Sequence, residues 1–271
     1  MSAFSNDTRV STPQGNNSRR HRHRASRKQE SYIATLSPVT QVQKVLADIN
    51  NFDGSYHLRN WSATARKELA PNVTITLELL HNGSYVEVEV PKLAFLVASP
   101  VFADHVAGSP EAVLLRFIST EVDLEAVKAI ASWLRKICSE KIYTNLPVPL
   151  DIKKALQLRR TARTLGMSQY VVDTIEYYIL GLCYRIPDVY ELVLVSEHTK
   201  DLGLVDPMLE ALANWVGYLM KYHLVDAKQA GLYAEALTAK KCQRLLDAVC
   251  EWKVDMIHSM GWFAVYQKPW K

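Results

Sequence analysis

The sequence contains no run of apolar residues near the roughly 18 needed to cross a bilayer. Its first residues lack the apolar core of a secretory signal. Both absences lead us to expect an intracellular protein, nuclear or cytoplasmic, with no membrane contact. Cysteine is also scarce: Cys138, Cys183, Cys242 and Cys250 are scattered and never form C-x-x-C. A zinc site or a disulfide scaffold is therefore not expected, and reduced, buried thiols are. Cys242 and Cys250 read as one helix face, where eight residues of rise separate them by about 12 Å, too far to bridge. The sequons at Asn60, Asn72 and Asn82 carry no weight in a chain that is not secreted.

Catalytic signatures are missing too. There is no P-loop, G-x-S-x-G, H-E-x-x-H or dinucleotide fingerprint. Beyond the N-terminal tail, His57, His81, His105, His198, His223 and His258 stand apart from cysteines and from paired carboxylates. In the tail, His21 and His23 sit among arginines that would repel a cation. Glu87 and Glu89 alternate with valines and read as the solvated face of a strand. We expect no enzyme, no cofactor and no metal.

Charge is present but segregated. Residues 1–30 hold seven basic and two acidic side chains, so the net charge of +4 for the whole chain leaves −1 for the remainder. That remainder lacks the basic footprint of a nucleic-acid-binding domain. The tail concentrates Arg19, Arg20, Arg22, Arg24, Arg27 and Lys28 within eleven residues, 18–28. It reads as a solvated, disordered segment (1–35) or as a basic import signal or nucleic-acid contact. Ser26, flanked by Arg22, Arg24 and Arg27, is placed for phosphorylation that would offset part of that charge.

From Ser37-Pro38 the pattern becomes structured. Serine as N-cap and proline at N1 open a helix carrying Val39, Val42, Leu46 and Ile49. A second short helix is expected over 61–69, which closes an N-terminal helical extension of 36–70. Two strands follow, Val73 to Leu80 and Tyr85 to Val90, joined by the hairpin signal Asn82-Gly83. Pro91 stops the second strand, and from Lys92 the apolar residues crowd as in a buried helical hairpin reaching Phe102 and Val106. A third strand is expected over 113–117. Beyond it come a helix capped by Asp123, a helix over 152–165 stopped at Gly166, and a helix over 171–182. After Ile186-Pro187 helices are expected over 188–198, over 206–222 with Asp206 as N-cap before Pro207, and over 230–260, the last long enough to contain a break. The aromatics Trp262, Phe263, Tyr266 and Trp270 read either as an exposed tail or as a segment folded back on those helices. Strands first and helices after give an α+β class.

Lys92, Phe95, Ser99 and Phe102, after a β-hairpin, resemble the hairpin motif of BTB/POZ domains. Residues 72–77 look like that family's first strand, and Leu165-Gly166-Met167 like its late helical hairpin. The resemblance covers residues 72–182. It implies a BTB/POZ-like domain over 71–183, a small β-sheet covered by helical hairpins, followed by an all-α extension over 187–271 similar to the BACK type. It also implies a non-enzymatic protein–protein interaction module that self-associates or binds an adaptor or other partner. In the family a dimer is built partly through an N-terminal helix, so Val39, Val42 and Leu46 become candidate interface residues. Asn72 and Lys92 occupy the positions of a charged interface pair, although Asn72 cannot neutralise Lys92. Cullin-binding members carry an apolar-x-acidic motif after the buried hairpin; residues 107–111 have no large apolar residue two before Glu111. The fold allows a ubiquitin-ligase adaptor, and the motif does not support one. The alternative function is a nuclear regulator that uses the arginine-rich tail for import or nucleic-acid contact.

Overall fold

The computed structural model describes residues 36–51, 57–70, 73–117, 122–239 and 242–266. The tail signal at 18–28, Asn72 and Trp270 lie outside the described residues. The α+β class holds: one three-stranded sheet is set among many helices.

Helix α1 (Pro38–Asn51) begins as its sequence dictates, with Ser37 Oγ accepting from the Thr40 N–H at 3.3 Å. Its inner stripe is Val42, Val45 and Ile49. A 3₁₀ turn (Leu58–Asn60) and helix α2 (Ala63–Glu68) follow, the latter capped by Ser62, whose Oγ accepts from the Ala65 N–H at 3.1 Å. Arg66 on α2 is only 3% exposed. Its guanidinium donates to the carbonyls of Trp61 (2.7 Å), Ile137 (3.1 Å), Glu140 (3.4 Å) and Lys141 (3.1 Å).

Strands β1 (Thr74–His81) and β2 (Ser84–Pro91) pair antiparallel. Asn82 and Gly83 both have positive φ, +50° and +80°, the backbone of a two-residue type I′ turn. Ile75, Leu77 and Leu79 face the core opposite Val90, Val88 and Val86, so one register sets these three apolar pairs on the core side. Strand β3 (Leu114–Phe117) lies parallel to β1, giving the order β2-β1-β3.

The crossover between β2 and β3 is the apolar hairpin, α3 (Lys92–Ala98) and α4 (Pro100–Ala107), and every residue of α3 is buried. At the bend, Ser99 Oγ accepts from the Phe102 N–H at 2.9 Å and donates to the Leu165 carbonyl at 2.6 Å. The rings of Phe95 and Phe102 stack at 4.3 Å. Gly166, φ +70°, sits against this bend, where a Cβ would come within 2.7 Å of Val101 Cγ2. The Leu-Gly-Met motif is thus fixed by a close approach of two chain segments.

Helices α5 (Leu124–Ser139) and α6 (Ile152–Thr164) open on Asp123 and Asp151, each accepting an N–H of its first turn. Helix α6 serves two cores. Leu158 and Ala162 join the core built by the sheet, α1 and α3–α5, while Ala155 and Leu156 join a second, helical core. Helix α7 (Val172–Cys183) buries Tyr178, Ile179, Leu182 and Cys183 in that second core. With it pack α8 (Val189–His198), α9 (Pro207–Lys221), α10 (Ala227–Thr238), α11 (Gln243–Ala248), α12 (Glu251–Met260) and α13 (Trp262–Tyr266).

The long helical stretch expected over 230–260 is broken into three helices. Thr238 Oγ1 donates back to the Ala234 and Glu235 carbonyls as α10 ends, and the chain turns through Ala239. At Val249 and Cys250 it is extended, held by Asn214, whose Oδ1 accepts from the Cys250 N–H at 2.7 Å. Cys242 and Cys250 therefore precede different helices instead of sharing one face. The C-terminal aromatics fold back: Trp262 and Tyr266 are buried, and the Tyr266 hydroxyl accepts from Asn214 Nδ2 at 2.8 Å. Among the described residues no helix is long and apolar enough to cross a membrane.

Candidate interaction surface

The residues singled out for a dimer contact fall into different environments. Val42 is wholly inside the chain's own core, where α1 packs on α3 and α4. Val39 and Leu46 are half-buried, Leu46 resting on the rim of that core. The i, i+3, i+7 stripe thus divides: its middle member is consumed by the fold, and its ends offer partial surface.

Lys92 is 2% exposed although it opens a helix. Its backbone N–H donates to the Val73 carbonyl at 2.8 Å, tying α3 to the start of β1. Its Nζ donates to the carbonyls of Pro110 at 2.6 Å and Ala112 at 2.5 Å. Burial pushes this amine below its ordinary range, partly opposed by the nearby charge of Glu111. The lysine thereby clamps the loop between α4 and β3. Asn72 is outside the described residues, so the pair itself has no geometry here.

That loop leads to the exposed apolar residues Val113, 70% exposed, and Leu114. They border the open side of the sheet. The β2 side is covered, since α5 packs against it and Arg135 donates to the Glu89 carbonyl. The β3 side has no further strand among the described residues. A bare strand edge invites pairing with another chain. Here it is only four residues long and is flanked by charge: Arg116 pairs with Glu78 at 2.5 Å and lies 4.6 Å over the Tyr85 ring. Sequence reading placed the strand without identifying this edge. The run Ala112-Val113-Leu114-Leu115 was the available signal, because it does not alternate as a half-buried strand should.

The chemistry on offer is that of contact. The cysteines are unbridged, and burial pushes the Cys138 thiol up to about 12 and the Cys183 thiol further still, so both stay protonated at neutral pH. Among the described residues no group of three or more His, Cys, Asp or Glu is placed to hold a metal ion. Glu87 and Glu89 are both exposed, on the outer face of β2. Against known proteins, the chain matches no family model, no curated protein and no solved structure.

Proposed function

We propose that this chain is a non-enzymatic protein–protein interaction module of BTB/POZ type, working inside the cell by self-association or by docking a protein partner. The observation that carries the reading is the chain path. A β-hairpin leads into a helical hairpin whose first helix is wholly buried, and the chain returns to a third strand parallel to the first. A helical layer then follows. Contact would draw on the half-buried flank of α1 (Val39, Leu46) and on the apolar β3 edge (Val113, Leu114), with binding energy from apolar burial.

Light scattering of the full chain over a concentration series tests self-association. The expected result is a dimer that Val39→Glu with Leu46→Glu splits while the fold survives. A mass that stays monomeric at every concentration removes self-association from the proposal. The narrower role of ubiquitin-ligase adaptor stands or falls on co-purification with a cullin. Glu111 is exposed in the relevant loop but has Ser109, not a large apolar residue, two positions before it.

A second reading is favoured by the charge segregation, +5 in residues 1–30 against −1 in the rest. In it the tail directs nuclear import or touches nucleic acid. Deleting residues 1–30 should then abolish nuclear accumulation and nucleic-acid retention. An unchanged distribution would remove this reading.

A further inference from the structure

A cavity of about 500 Å³ lies where the two cores meet, between α6, the start of α7 and the end of α8. A smaller one of about 240 Å³ adjoins it, and Arg160 and His198 line both. One wall of the larger cavity is cationic, with Arg159, Arg160 and Arg163 all projecting from α6. The facing wall includes the apolar side chains of Val171, Ile175 and Leu202, and Leu156 of α6 adds to the apolar lining.

The three guanidiniums are not equally engaged. Arg159 is held by both carboxylate oxygens of the buried Asp206, so it serves the start of α9. Arg160 reaches the half-exposed carboxylate of Asp201 at 3.3 Å. Arg163 meets no carboxylate among the described residues; its one hydrogen bond is a long one, 3.4 Å, to the Asp201 carbonyl. One further polar group of the lining is open to the cleft, the exposed Ser168 hydroxyl, which makes no side-chain hydrogen bond among the described residues; His198 Nδ1 is sealed from the cleft. The Thr164 hydroxyl is already committed to the Arg160 carbonyl at 3.2 Å.

A guanidinium with spare donors beside a free hydroxyl is complementary to an oxyanion with more than two acceptor oxygens. Arginine matches phosphate in this bidentate fashion. The cavity is also far larger than a bare phosphate needs and lies within the roughly 300–1,000 Å³ of small-molecule sites. The apolar wall would take the body to which the phosphate is attached. The chain's own arginine-rich tail has the wrong charge to occupy the cleft. We infer that the cleft between α6 and α8 binds a phosphate monoester, with Arg163 as principal anchor, Ser168 completing the headgroup contacts, and the Ile175–Leu202 wall holding an apolar body.

This site is separate from the α1 and β3 surfaces, and its test does not depend on them. Phenyl phosphate, inorganic phosphate and benzoate are titrated calorimetrically into the full chain at neutral pH and fixed ionic strength. Phenyl phosphate should bind measurably, inorganic phosphate more weakly for want of an apolar body, and benzoate more weakly for want of acceptor oxygens. The exposed Arg163→Gln should weaken phenyl phosphate by about tenfold or more, the loss of a charge-assisted contact. Arg116→Gln, which removes the same charge from the sheet, should leave it unchanged. No heat up to millimolar phenyl phosphate, equal weakening by the two variants, or equal binding of benzoate would each overturn the assignment. A phosphotyrosyl peptide separates two sources of the same group. Binding as tight as phenyl phosphate points to a modified protein segment, and exclusion points to a free small molecule; either result upholds the site.

Discussion

In the core that contains the sheet, the buried charged side chains are cations, Arg66 and Lys92, and neither forms an ion pair among the described residues; both are held by backbone carbonyls. In the helical core they are anions, Glu191 and Asp206, each gripped by an arginine, Arg185 and Arg159. The positions explain the difference. Arg66 reaches the last carbonyls of α5, groups without helical partners that carry the negative end of the macrodipole. Glu191 and Asp206 stand at the starts of α8 and α9, where orphan N–H groups carry the positive end. Asp188 and Glu191 close a capping box, and Asp206 accepts from the Met208 and Leu209 N–H groups, both at 3.1 Å. In one region Arg66 ends an element while Lys92 holds a loop; in the other each buried anion begins a helix.

The comparison makes its sharpest demand at Arg66. Arg66→Ala leaves several carbonyls short of a donor in a dry place, and each unmet group costs roughly 1–3 kcal/mol, so a total of about 3 kcal/mol or more is expected. Urea unfolding followed by circular dichroism reads it. A loss no larger than that of an exposed arginine would show that the carbonyls find water and that the contrast is empty. Asp206 should come next. Asp206→Ala removes a cap worth about 1 kcal/mol and strands Arg159, for about 2 kcal/mol in all. Asp206→Asn keeps the accepting oxygen and should cost about half as much. Equal costs for the two variants would mean that the ion pair contributes nothing.

Much of the first region was legible because its signals are local. Strict alternation in Val86, Val88 and Val90, the Asn82-Gly83 turn and the Pro91 stop each act within a few residues, and the strands lie where they place them. The caps at Ser37, Asp123 and Asp206 were legible for the same reason. What was not legible depends on distant partners. Nothing in Ala63-Thr-Ala-Arg-Lys-Glu marks Arg66 as buried, because its acceptors lie near residue 140. The breaks around 240 and 250 carry no glycine or proline; one depends on Asn214, from another helix. At the candidate surface, helical spacing grouped Val39, Val42 and Leu46, but only packing reveals that Val42 belongs to the core. The α6 arginines carry no local mark of the cavity that they and the end of α8 line.

Lys92 offers a smaller and more local test. Lys92→Met removes an amine that burial already disfavours, yet leaves the Pro110 and Ala112 carbonyls without their donor. The two effects oppose, so the net loss should be about 1 kcal/mol or less. The consequence should instead be spatial, with faster amide hydrogen exchange in the loop over 109–113 and in β3, and unchanged exchange in α9. Uniform acceleration across both cores would mean that the lysine supports global stability and does not act as a loop clamp.

The smallest expected effect separates the regions by acid. Burial alone would raise the Glu191 carboxyl, but the Arg185 hydrogen bond, the Asp188 N–H and the Arg185 charge together outweigh it and hold it below its ordinary 4.5. The unfolded chain therefore binds that proton first, and the contribution of Glu191, complete above pH 4.5, is lost as pH falls through its folded value. Asp48 on α1 has the opposite sign. Burial, only partly offset by Lys44, lifts it above 3.8, so the folded state takes up its proton first and gains stability as pH falls through that raised value. His57 in the first region and His198 in the second are both lowered by burial, so each withdraws stability as pH drops below 6.5 and neither favours one region. Below pH 4.5, then, the start of α8 should lose amide protection before α1 does. Hydrogen exchange across a pH series, corrected for the intrinsic rate at each pH, measures the order. Protection lost first in α1, or in both helices together, would break the link between the sign of the buried charge and the region that acid opens first.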